Sequence, residues 1–206
     1  MTSQDGSLPP GRIALAIEEA GLSSLAAGTS ERFSAYFDLL QRWNAKLNLT
    51  AIRDPEKALQ RHFVECIACA QNLPVGIRTL LDYGSGGGFP GIPIALCRPE
   101  IRVTLAESQG KKASFLREVV RVLAIHAEVY AGRVEDMVAG RKFDAVTLRA
   151  VDKMQAAIRS AADRVGESGW LVLLASLGTV ELPHGFTGRE LPMPGSESRV
   201  LILASP

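Results

Sequence analysis

The chain has 206 residues, with 23 Lys and Arg against 22 Asp and Glu, for a formal charge of +1. Apolar residues are 47% and charged residues 22%, which excludes disorder, collagen and coiled coil and predicts a soluble globular domain with an appendage. So even a charge announces neither a nucleic-acid binder nor an acidic partner, and a partner that needs positive charge must be met by local clustering.

The start, Met1 to Pro10, is polar, ends in Pro-Pro and lacks the basic and apolar regions of a signal peptide. Up to about Pro74 the periodicity is helical. Ile13, Ala16, Ile17 and Ala20 share one face, with Gly21 as a stop. Thr29-Ser30 offers hydroxyl caps to a second helix with the stripe Phe33, Tyr36, Phe37, Leu40, Trp43 and Leu47. Asp54-Pro55 opens a third, with Leu59, Phe63, Ile67 and Ala70 buried. On that helix Cys66 and Cys69 read as small apolar residues, since no second ligand pair exists for a metal. Three cysteines, Cys97 included, are too few for a disulfide framework and point to a reducing cytosol. No apolar run approaches the ~18 residues of a membrane span. The expected protein is therefore cytoplasmic, without metal or membrane.

From Arg78 the pattern changes to short β runs alternating with helices. The runs are residues 79–83, 102–106, 128–130, 143–147 and 170–174, with an amphipathic helix around Phe115 to Leu123. Such alternation predicts a parallel sheet with helices on both faces. Gly188 to Met193 and Arg199 to Leu203 are separated only by Pro-Gly-Ser-Glu-Ser, so they should pair antiparallel. The fold expected is α/β, a class I methyltransferase Rossmann-like sheet closing with an antiparallel hairpin. Residues 1–75 form its N-terminal helical extension and 76–206 its cofactor-binding domain.

Residues 82–91 read Asp-Tyr-Gly-Ser-Gly-Gly-Gly-Phe-Pro-Gly, directly after the first strand. Glycines there turn the backbone sharply and admit a nucleoside cofactor where a Cβ would block it. Gly86, Gly88 and Gly91 match the dinucleotide pattern G-x-G-x-x-G, whereas Asp82, Gly84, Gly86 and Gly88 match D-x-G-x-G-x-G, the form usual for S-adenosylmethionine. Glu107, just past the second strand, suits the two ribose hydroxyls of an adenosine and does not choose between those cofactors. The terminal hairpin, and the lack of a hydride-transfer arrangement, favour S-adenosylmethionine.

Asn48-Leu49-Thr50-Ala51-Ile52-Arg53-Asp54-Pro55, Arg61-His62-Phe63 and Gly84 to Pro93 resemble the RsmG, or GidB, family of small-subunit ribosomal RNA guanine methyltransferases. Gly110-Lys111-Lys112, Gly132-Arg133-Val134-Glu135 and Arg149-Ala150 continue the likeness, which covers residues 30 to 175. The resemblance implies S-adenosylmethionine-dependent methylation of guanine N(7) in 16S ribosomal RNA, either free or within the small ribosomal subunit; the chain is expected to be a monomer. Carried over by position, it implies cofactor contacts at Gly84, Phe89, Val134, Glu135 and Arg149, beside the Gly86, Gly88 and Glu107 already named. Two positions depart from the family pattern. Glu65-Cys66 stands where Asp-Ser is usual, and Leu148 stands where Ser is usual.

Guanine N(7) carries a lone pair and no proton, so no general acid or base is expected, only orientation. The helical extension should face RNA, and the resemblance directs Lys46, Asn48, Arg61 and His62 to it. Lys111 and Lys112, with Arg117 and Arg121, form a second basic cluster that suits phosphate or is simply a solvated helix face. His126 and His184 have no motif around them. Two other functions remain open: a class I methyltransferase for a small molecule or protein, and a nicotinamide-binding module.

Overall fold

The structure, a computed structural model, describes residues 7–151 and 153–206. Residues 1–6 of the polar start lie outside the described residues. Seven strands form one sheet: β1 Thr79–Tyr83, β2 Arg102–Ala106, β3 Ala127–Tyr130, β4 Phe143–Arg149, β5 Val165–Ser176, β6 Thr187–Pro192 and β7 Arg199–Ser205. Their order is β3-β2-β1-β4-β5-β7-β6. β1 to β5 are parallel, while β7 runs antiparallel to both β5 and β6. The terminal hairpin therefore enters the sheet by its second strand, and the order reverses between β1 and β4, where α/β sheets open a crevice.

The helices are α1 Pro10–Glu19, α2 Thr29–Leu47, α3 Pro55–Ala58, α4 Glu65–Asn72, α5 Gly91–Cys97, α6 Gly110–Val122 and α7 Met154–Ala162. A π-helical turn, Leu59–Val64, joins α3 to α4. Asp54 caps α3 as its sequence implies, its Oδ1 accepting the Lys57 N–H at 2.7 Å. The hydroxyl cap expected at Thr29-Ser30 does not form. Gly28 occupies the cap position and Thr29 is buried inside the first turn, where tertiary packing overrides local capping.

Period-two alternation divides the strands between two cores. Leu80, Ala145, Val172, Leu174, Leu201 and Leu203 join one cluster with α1 to α6, and Leu81, Val146, Leu148, Leu171, Leu173 and Ile202 join the other with α7. The first cluster also takes Phe33, Tyr36, Phe63 and Ile67, so residues on both sides of position 75 share one core. Helix α4 is buried all round, from Glu65 to Ala70. Leu148 is wholly inside the second core, so that departure from the family pattern presents no surface to solvent.

At two glycines the chain passes too close for any side chain. A Cβ at Gly88 would lie 2.6 Å from Ile92 Cγ1 and 2.7 Å from the Tyr36 hydroxyl; one at Gly91 would lie 2.5 Å from Leu105 Cδ2 and 2.6 Å from Asp82 Oδ2. Gly88 also has φ +92°. Overpacking and backbone strain together predict that Gly88→Ala lowers stability by about 2–4 kcal/mol. Urea unfolding of the variant measures this, and an unchanged midpoint would contradict the packing described.

Candidate active site

The loop from Gly84 to Pro90 crosses the carboxyl ends of β1 and β2. The Ser85 N–H donates to the Ala106 carbonyl at 2.9 Å. Glu107, 6% exposed, accepts the Gly86 N–H on Oε2 at 2.9 Å and the Gln109 N–H on Oε1 at 2.7 Å. Gly84 (φ +68°) and Gly86 (φ +55°) adopt the left-handed region, and their α-carbons face nearly open space. A Cβ would meet only Val151 at 3.4 Å and the Gly84 carbonyl at 3.9 Å, respectively. The two outer glycines border open space; Gly88 turns inward against Tyr36, whose hydroxyl donates to the Gly87 carbonyl.

Val134 and Glu135 lie in a 3-10 turn after β3. The Val134 side chain is buried, and its carbonyl accepts from Arg164 Nη2 at 2.9 Å. Glu135 accepts from the Tyr83 hydroxyl at the end of β1 and from Ser160 Oγ at 3.3 Å. The Tyr83 bond is the main cause that holds the Glu135 carboxyl below its ordinary range.

Phe89 stands between this cleft and the helical segment. Its ring stacks on His62 with centroids 4.3 Å apart and planes within 11°. The Thr50 hydroxyl is 2.7 Å from His62 Nε2, and Arg149 Nη2 lies 3.5 Å from Nδ1. Since a guanidinium only donates, Nδ1 accepts and Nε2 carries the proton. Arg149 also donates through Nη1 to Cys66 Sγ at 3.0 Å, and its carbon sits 5.9 Å from the Phe89 ring centre. Burial pushes the Cys66 thiol up to about 11, so it stays neutral. The two cysteines of the C-x-x-C are buried and free, and no group of three His, Cys, Asp or Glu among the described residues can hold a metal.

The basic residues divide. Lys46 is exposed on the last turn of α2, and Asn48 follows as its left-handed cap, accepting from Arg53 Nη2 at 3.3 Å. Lys111 and Lys112 occupy the first turn of α6, which holds no acidic residue. Cations there oppose the helix dipole, so folding alone does not favour them. Arg61 is partly exposed and paired with Glu65. His62, expected with them on an RNA-facing surface, is 7% exposed, and its pKa is lowered to about 3. Burial is the main cause, followed by the charges of Arg149 and Arg61. It is a neutral ring in a stack, and it brings no charge to a phosphate.

The sequence profile described as "rRNA small subunit methyltransferase G" (GidB) matches residues 29–178. The chain belongs to this family. The protein of that name from Stenotrophomonas maltophilia is 38% identical over 198 residues, covering 90% of this chain and 91% of its own. The one from Methylobacillus flagellatus is 38% identical over 168 residues, covering 81% and 80%. Among solved structures, cofactor-bound Rv0187 from MTB superposes with a TM-score of 0.63 at 19% identity, over 96% of this chain and 97% of that one. Mitomycin 7-O-methyltransferase MmcR gives 0.60 at 16% identity, over 96% and 68%. At those identities the likeness is one of fold, the class I methyltransferase fold expected from the strand pattern.

S-adenosylmethionine is the cofactor of this family, and the residues fit it. Glu107 spends one lone pair on each of its two backbone donors and keeps others for a pair of hydroxyls. Gly84 and Gly86 leave room beside that carboxylate. The sequence did not show that Thr50 holds the His62 ring behind Phe89 or that Glu65 pairs with Arg149, because both contacts are tertiary.

His62 has a pH consequence. Its folded pKa of about 3 lies below the ordinary 6.5, so only the unfolded chain gains a proton as pH falls from 6.5 toward 3. Its contribution to stability is present above pH 6.5 and is lost below it, at about 1.4 kcal/mol per pH unit. His62→Gln should therefore flatten the decline of the urea midpoint between pH 6.5 and 4.5. A decline as steep as the wild type's would show the ring to be accessible to protons in the folded state.

Proposed function

We propose that this protein methylates the N(7) atom of a guanine in 16S ribosomal RNA, in the cytoplasm, as a monomer acting on RNA or on the small ribosomal subunit. One observation carries the reading: in a chain of this family, Glu107 holds the Gly86 backbone beside open space at Gly84 and Gly86, next to the point where the strand order reverses. S-adenosylmethionine supplies, when bound, a methyl group on a positively charged sulfur. Guanine N(7) offers a lone pair and no proton, so the chain needs no general base, and its contribution is to hold the reactants in line. Glu107 accepts hydrogen bonds at the ribose, and the open glycines let the backbone approach. Glu135, braced by Tyr83 and Ser160, borders the adenine end. Phe89, fixed against His62 and Tyr36, keeps water from the side of the cleft that faces α4. Lys46, Arg61, Lys111 and Lys112 supply contacts for the RNA backbone, with Asn48 beside them.

Purified protein incubated with 16S RNA or 30S particles and labelled S-adenosylmethionine should yield 7-methylguanine at one position, found by mass mapping. Absence of label from both, with transfer to a small molecule or protein instead, would replace the reading. Within it, Glu107→Ala removes the ribose acceptors and should weaken S-adenosylhomocysteine binding at least tenfold by calorimetry, at about 1.5–3 kcal/mol per charged bond. Unchanged affinity would discard the ribose role.

A further inference from the structure

Glu65 begins helix α4, is wholly buried, and meets three arginines from three separate segments. Arg61 Nε of the π turn and Arg199 Nε of β7 each lie 3.1 Å from Glu65 Oε1, and Arg149 Nη2 of β4 lies 3.7 Å from Oε2. His62 beside them is neutral. Three guanidiniums surround one carboxylate; Arg149 and Arg199 carry their charge where burial makes it expensive, while Arg61 is partly exposed. Arg199 registers the crowding: burial lowers its pKa, Glu65 opposes that shift, and the charges of Arg61 and Arg149 add to it.

The donors are also left over. Arg199 gives one hydrogen bond, from Nε to Glu65 Oε2 at 3.2 Å. Its terminal nitrogens, and those of Arg61, have no hydrogen-bond acceptor among the described residues. Arg61 Nε and Glu65 Oε1, although 3.1 Å apart, make no hydrogen bond, so the carboxylate is an electrostatic anchor that leaves both forks available.

The place is specific. Strand parity sends Arg149 and Arg199 to the same face of the sheet as α4, since Leu201 and Leu203 pack there. Ser176 of β5 pairs with Arg199 while Leu174 pairs with Arg149, so Arg199 stands two residues further out along the carboxyl edge. The β6–β7 turn is fastened to the π turn, Gln60 Nε2 donating to the Pro194 carbonyl at 2.5 Å. β7 is three strands from β1, about 14 Å at normal spacing, so Arg199 lies beyond β4 and β5, on the side away from Gly84 and Glu107.

We propose that Arg61 and Arg199, held side by side by Glu65, form a seat for a backbone phosphate of the substrate RNA. The proposal rests on the ribosomal RNA reading and deepens it. Arg199 is the new element, since it lies beyond the segment matched by the family profile. A planar fork with free N–H groups suits the oxygens of a phosphodiester, and two forks converging on one buried carboxylate are held in place before the RNA arrives. The other anion that such a seat suits is the carboxylate of the cofactor, and the test separates the two.

Arg199→Gln and Arg61→Gln keep a donor for Glu65 and remove the charge. Binding of a single-stranded RNA oligonucleotide is measured across a salt series, alongside S-adenosylhomocysteine calorimetry and urea unfolding. Each variant should reduce the slope of log affinity against log salt by about 0.7, the increment for one phosphate contact. S-adenosylhomocysteine affinity should stay within twofold, and Arg199→Lys should restore the slope. A wild-type slope in both glutamine variants overturns the seat, as does a fall in S-adenosylhomocysteine affinity, which would assign the forks to the cofactor. A wild type that transfers no methyl group to RNA, yet shows a slope steeper than the variants, overturns the ribosomal reading and leaves the seat standing.

Discussion

The architecture turns on one fully buried carboxylate, Asp82, at the carboxyl end of the central strand. Its Oδ1 accepts the Thr147 hydroxyl of β4 at 2.9 Å, and its Oδ2 accepts the Gly91 N–H of α5 at 3.2 Å. Burial raises its pKa to about 6, and the Ser85 and Thr147 hydroxyls, the Gly91 N–H and the Arg149 charge pull it back. Those bonds tie β1, β4 and the start of α5 together at the point where the strand order reverses. The glycine loop is strung between them, which is why its outer part is open while its inner part tolerates no side chain. A fixed loop then presents the Gly86 N–H to Glu107, so that placement follows from a buried structural carboxylate.

Most of this was legible as pattern. The two-residue alternation in 143–149 and 199–205 assigns each side chain to a face, and the short Pro-Gly-Ser-Glu-Ser link forces the antiparallel pairing. The Asp82-to-Gly91 spacing was legible as a tight turn after β1, because such turns need glycines at particular strand ends. What remained hidden was tertiary. No periodicity announces that β7 enters between β5 and β6, or that residues 59–64 widen into a π turn. Nor does sequence report desolvation: His62 reads as an RNA-facing residue, and its burial, with the charges of Arg149 and Arg61, keeps it neutral. The hydroxyls of Thr29 and Ser30 failed as caps for a related reason, since packing placed Thr29 inside the helix.

The charge of +1 is an average over unlike regions. Arg121 with Glu118, Arg141 with Glu128 and Arg12 with Glu56 are locally neutral pairs on the surface, each of small effect on stability. Lys46 at the end of α2 and Lys111 and Lys112 at the start of α6 make no such pair among the described residues. A small local excess of this kind can meet phosphates without a basic composition, through contacts that weaken as salt rises.

The distribution of charge inside the protein is harder to explain by folding. A helix buried all round, as α4 is, has no use for a carboxylate unless a cation meets it, and one arginine suffices for that. Replacing such a group by apolar residues is commonly neutral or stabilising, so a second and third guanidinium add desolvation without adding neutrality. They are brought together from β4, β7 and the π turn, three segments with separate packing requirements. A widened turn at the same spot fits that demand, because π turns re-aim side chains at the expense of regular helix geometry and concentrate at functional sites. The excess positive charge is thus a cost that the core bears around Glu65, placed at the open edge of the crevice where an anionic substrate removes it.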